Sequence, residues 1–202
     1  MMKLKAKNTS PIQTIPFLAI WAAAYIVGWM SAYFIYEIDN SLFAYGTLPH
    51  ALLLTLVPGF FITLMQMYLA APRLGIDQRQ WFRYSMLGWL CSTFAYLALL
   101  HFTPGRYDVD VNLQIVVMHG TAPIVQWLSL LKNRHQNSWL WPLSAIISAL
   151  VFTMIMLADP FVHTEGIALM LSSGIQAIIT GAIMLWLLNQ NHPSQKLKQN
   201  DM

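Results

Sequence analysis

Apolar residues run along the chain in six long blocks separated by short polar stretches. The blocks cover 17–36, 51–71, 81–100, 113–131, 139–157 and 167–188. Each holds about the 20 residues that a helix needs to cross roughly 30 Å of hydrocarbon. The pattern therefore predicts an all-α, polytopic membrane protein with six transmembrane helices. The first block follows Lys3, Lys5 and Lys7, as a signal peptide would, but it is long and aromatic and no small-residue cleavage site follows it. It reads as a retained helix.

The polar stretches fix an orientation. Lys3, Lys5, Lys7, Arg73, Arg79, Arg83, Lys132, Arg134, Lys196 and Lys198 fall at one end of the six blocks, and only Arg106 falls at the other. The excess of Lys and Arg in cytoplasmic loops then predicts that both termini are cytoplasmic. The host is expected to be a cell (inner) membrane or a thylakoid-type membrane. Short loops leave no room for a soluble domain, and the polar tail 189–202 reads as disordered.

The blocks also repeat. The segment "WAAAYIVGW" at 21–29 returns as "WFRYSMLGW" at 81–89, and a 60-residue offset also pairs Trp81 with Trp141 and Gln66 with Gln126. The unit is a helical hairpin. It gives a tail 1–16, hairpins 17–71 and 81–131, a degraded hairpin 139–188, and the tail 189–202. Each unit crosses twice, so the repeats are parallel, unlike the inverted repeats of many transporters. Gly28 and Gly88 would let helices pack closely. Trp21, Trp81 and Trp141, near the cytoplasmic helix ends, would suit the membrane interface.

"LGW" at 87–89 and "QWLSLL" at 126–131 resemble a group of multi-pass bacterial proteins, found in cyanobacteria and Chloroflexi-like bacteria, built from repeated "GW…GxxQW" hairpins. The resemblance covers two of the three hairpins. The group carries no established activity, so it implies a fold alone.

Composition agrees with a membrane chain: 57% of the 202 residues are hydrophobic and 9% charged, against about 25% charged in soluble domains. The +3 balance forms no basic stripe, so nucleic acid is not an expected partner. The single Cys91 can form no intrachain disulfide and reads as a small hydrophobe. Neither G-x-S-x-G nor H-E-x-x-H occurs, and no carboxylates pair inside the blocks.

Candidate chemistry rests on few residues. His119 is the one deeply placed ionisable side chain, about six residues into block four, and an intramembrane ionisable group is a functional hypothesis by default. It could ligate haem or another pigment, or relay protons, or simply bond a neighbouring helix. "MHGTA" at 118–122 resembles the Met-His-Tyr-Thr signature of a six-helix sensor family, with Gly120 in place of Tyr. Gln66, Gln126 and Gln176 could join helices or line a polar path. His50, His101 and His163, with the acidic outer residues Glu37, Asp39, Asp108, Asp110, Asp159 and Glu165, could bind Zn²⁺ or Cu²⁺. Their spacing forms no ligand motif, and solvated loop positions are the simpler reading.

Three functions follow as expectations. The first is a non-catalytic membrane subunit packed against lipid and against other membrane proteins or pigments in a larger assembly, with no particular cofactor implied. The alternative is a small transporter or substrate-binding component with a path lined by Gln66, Gln126 and His119. The second alternative is a cofactor-binding sensor built on His119.

Overall fold

A computed structural model describes residues 14–39, 47–102, 107–157 and 165–190, with side chains over 14–35, 47–102, 116–155 and 169–190. Among these residues all the regular secondary structure is helical. The helices are α1 (Thr14–Asp39), α2 (Leu48–Leu69), α3 (Gln78–Phe102), α4 (Tyr107–Gln126), α5 (Leu140–Leu157) and α6 (Glu165–Gln190). A π-helical turn, Trp127–Leu131, continues α4. Residues 1–13 and 191–202, His163 and Arg106 lie outside the described residues, and so do the side chains of the acidic outer residues.

Most helices are longer than the apolar blocks, because a helix can run past the hydrocarbon into polar surroundings. The largest difference is at α4, which begins at Tyr107 rather than 113. His119 is therefore twelve residues into its helix rather than six.

Four helices could cross a membrane by length and composition: Thr14–Ile35 of α1, Leu48–Leu69, Gln78–Phe102, and Leu169–Gln190 of α6. The described apolar parts of the remaining two are shorter, Val116–Leu131 and Leu140–Ile155. Large apolar side chains such as Phe34, Phe94, Leu150, Met154 and Ile178 point outward on several helices. Water would tolerate so wide an apolar exterior poorly, whereas lipid solvates it.

Each helix packs against its neighbours in sequence, and α6 closes on α1. Small residues set the close crossings, as expected where lipid supplies no hydrophobic drive between helices. A Cβ on Gly28 would stand 3.1 Å from the Pro58 carbonyl oxygen, and one on Gly88 would stand 2.9 Å from the Ala122 Cα and carbonyl oxygen. The α1/α2 and α3/α4 crossings thus bring backbone against backbone.

Hydroxyls buried in the bundle mostly bond carbonyls of their own helix, as Thr55 does with Ala51 and Thr93 with Trp89. Thr55 and Thr93 also meet each other at 2.6 Å, joining α2 to α3. Ser92 reaches across to the Met118 carbonyl at 3.0 Å, joining α3 to α4.

Candidate functional site

Two polar layers lie inside the helix ring. The first centres on Gln126, the last residue of α4 before the π turn. Its Nε2 donates to Gln66 Oε1 at 2.9 Å and to Ser85 Oγ at 2.7 Å, and its Oε1 accepts from Trp141 Nε1 at 2.9 Å. Gln66 shares a further hydrogen bond with the Tyr25 hydroxyl, which also bonds Thr180. Thr180 Oγ1 accepts from Trp21 Nε1 at 3.2 Å and donates to the Gln176 carbonyl.

The chain of bonds runs from Trp21 through Thr180, Tyr25, Gln66 and Gln126 to Ser85 and Trp141. It takes at least one side chain from every helix. Gln66 and Gln126 are each 2% exposed, so their amides face the interior and not lipid. Trp21 and Trp141 cross edge to face, centroids 6.2 Å apart. They fill the middle of this layer between α1 and α5.

The tryptophans depart from expectation. Trp21, Trp81 and Trp141 are fully buried rather than set at the membrane interface. Two of the three indole N–H groups find partners inside the bundle, which a headgroup position would otherwise provide. The Trp81 Nε1 has none.

The second layer lies about 11 Å further along α4, seven residues at 1.5 Å each. His119 stacks face to face on Trp29, centroids 4.4 Å apart at 7°, and leans on Phe152 at 5.4 Å. Its Nδ1 hydrogen-bonds with the Gln176 side-chain nitrogen. These contacts join α4 to α1, α5 and α6. Pro123 removes the N–H that would bond the His119 carbonyl within α4, as Pro58 does for Leu54 in α2.

This layer is not closed by its own bonds. His119 Nε2, Gln176 Oε1 and Trp29 Nε1 are buried without a partner. Rotating the Gln176 amide would exchange its oxygen and nitrogen. One amide atom would still be left over, and so would Nε2 of the ring.

Of the residues singled out from sequence, Gln66 and Gln126 meet each other, and Gln176 meets His119. Gly28 and Gly88 lie at crossings. Of the three histidines, the structure describes two. His50, expected in a solvated loop, is instead fully buried in the first turn of α2, because that helix begins at Leu48 rather than Ala51. His101 is exposed in the last turn of α3, and His163 lies outside the described residues. Among the described residues no three His, Cys, Asp or Glu side chains gather as a metal site would require.

Tyr25, Ser85 and Thr180 belong to the first layer, and Phe152 to the second, without having been singled out from sequence; Trp29, noted only for the Gly-Trp repeat, also joins the second. One signal was available. Tyr25 precedes Gln66 by the same 41 residues that separate Ser85 from Gln126. No protein-family profile, curated protein or solved structure matches the chain.

Proposed function

We propose that the chain is a non-catalytic integral membrane subunit whose outer surface, against lipid and neighbouring membrane proteins, performs its role. The observation that carries this reading is the Gln126 layer. Its amides bond one another and the surrounding hydroxyl and indole groups, in the position where a solute path would need them free. A filled, bonded interior favours a scaffold over a conduit.

The wider topology belongs to the same proposal. Six crossings place both termini in the cytoplasm, where the Lys and Arg excess would sit. Three parallel hairpins account for the 60-residue echo. In its support, the Tyr25–Gln66 and Ser85–Gln126 bonds fall at equivalent positions of the first two hairpins, and Gly28 and Gly88 both press on the following helix. The third hairpin has Ser148 where the others have Gly, and Trp186, 40% exposed, where they have Gln.

The test is purification in mild detergent without overexpression, with mass measurement of the intact particle. A reproducible complex of fixed stoichiometry with a second membrane protein is the expected result. A monomer carrying a bound small solute would overturn it. Reporters active only outside the cytoplasm should be silent when fused to either terminus. Activity at the C-terminus would sink the six-crossing topology.

A second reading rests on the second layer. Buried, unpartnered polar atoms at His119, Gln176 and Trp29 are costly unless something uses them. A small polar ligand or a proton could do so, and a His119 variant that assembles normally yet fails to support growth would favour that reading.

A further inference from the structure

An open cavity of about 600 Å³ lies where the 70–77 turn meets the start of α3, lined by Asp77, Arg79, Gln80, Arg83, Tyr84 and Leu87. Residues 80, 83, 84 and 87 fall at helical spacing, so they form one stripe down the outer face of α3. The stripe changes character along its length. Arg79 and Arg83 are exposed near the helix start. Tyr84 is 37% exposed and Leu87 46% exposed, one turn further toward the apolar exterior. No hydrogen bond or ion pair engages either guanidinium among the described residues.

Charge is in excess there. The Asp77 carboxylate accepts the Gln80 backbone N–H at 2.9 Å, so it is occupied in capping α3. Arg134, from the turn before α5, donates to Gln80 Oε1 at 3.5 Å and adds a third cation at the rim. Three guanidiniums against one capping carboxylate make an anion site. The apolar continuation along Tyr84 and Leu87 selects an anion attached to a hydrocarbon chain.

The geometry points to a binding site for an anionic phospholipid. Its phosphate lies between Arg79 and Arg83, with Arg134 at the rim, and an acyl chain descends over Tyr84 and Leu87. Guanidiniums suit this role because they bind phosphate through paired N–H groups. Basic pockets at the ends of membrane helices are a recurrent headgroup site. The assignment requires only that this end of the bundle meets a membrane surface, and not the subunit reading above.

The test uses the full chain in detergent, titrated with phosphatidylglycerol or phosphatidylcholine and read by native mass spectrometry and thermal melting. Phosphatidylglycerol should bind preferentially and raise the melting temperature, and added salt should weaken both effects. Arg79→Gln with Arg83→Gln should weaken retention about 25-fold, roughly fivefold per arginine. Arg79→Lys with Arg83→Lys should keep most of it. Leu87→Asn should weaken the lipid but not inorganic phosphate.

Equal binding of the two lipids by the wild-type chain would overturn the assignment, whether or not the Gln variants fold. So would unchanged retention in those variants, or displacement of the lipid by an equal concentration of inorganic phosphate.

Discussion

The Gln126 layer and the His119 layer stand about 11 Å apart on one helix and solve the same problem differently. Each puts a buried amide near aromatic rings from α1 and α5. Around Gln126 every polar atom of the amide is used, and the bonds extend to all six helices. Around His119 one hydrogen bond is made and three polar atoms are left over, while stacking on Trp29 and a tilted contact with Phe152 provide the packing. The contrast teaches that a polar residue inside a membrane bundle is not by itself a functional signal. Its unused bonding capacity is the better one, because selection for stability alone would remove it.

Cutting the first layer should have the largest effect. Gln126→Leu removes three hydrogen bonds and leaves Gln66 Oε1, Ser85 Oγ and Trp141 Nε1 without that partner. Interhelical hydrogen bonds in membranes are worth roughly 0.6 to 1.7 kcal/mol each, so the expected loss is about 2–4 kcal/mol. Reversible unfolding in mixed micelles measures it. A loss below about 1 kcal/mol would show that the layer is redundant with the surrounding packing.

How much of this could be read from the chain differs between the layers for a physical reason. The helices follow from apolar length, which bilayer thickness dictates. Gln66 and Gln126 stood out because an amide in hydrocarbon must turn inward. Tyr25, Ser85 and Thr180 did not stand out, since a hydroxyl in a helix can bond its own backbone and so need not reveal a partner. Trp29 was legible as half of a Gly-Trp pair, but its stacking on His119 joins α1 to α4, residues 90 positions apart in sequence. No local pattern encodes that pairing. Burial of Trp21, Trp81 and Trp141 was missed because the interface preference of indole is a population tendency, whereas the interior of the helix ring offers a drier site, with partners for the indole N–H groups of Trp21 and Trp141.

The crossing that positions the first layer gives the next largest effect. Gly88→Ala places a Cβ 2.9 Å from backbone atoms of Ala122, and backbone cannot rotate aside as a side chain would. Separating α3 from α4 should cost about 1–3 kcal/mol, the usual range for overpacking. It should also strain the Ser85–Gln126 bond, which joins the same two helices. Gly28→Ala meets Pro58 at a slightly longer 3.1 Å and should cost less. Melting of the two variants side by side checks the order. A reversed order would mean that the α3/α4 crossing relaxes more easily than its geometry implies.

The smallest effect is expected in the second layer, where its sign matters most. His119→Phe combined with Gln176→Leu removes both partners of the one hydrogen bond and also removes two of the three unpartnered polar atoms. The aromatic ring can still stack on Trp29 and lean on Phe152. Replacing a buried polar pair by apolar groups of similar shape is close to neutral and can stabilise. The expected change is therefore within about 1 kcal/mol of zero, in either direction. Gln66→Leu with Gln126→Leu is the matched control, and it should remain costly because Ser85, Trp141 and Tyr25 keep their polar groups and lose those partners. Unfolding free energies of both double variants complete the comparison. If the His119 pair costs as much as the glutamine pair, the second layer is structural after all. If it costs little and the cell still requires His119, the unused nitrogen of that ring is held for something other than the fold.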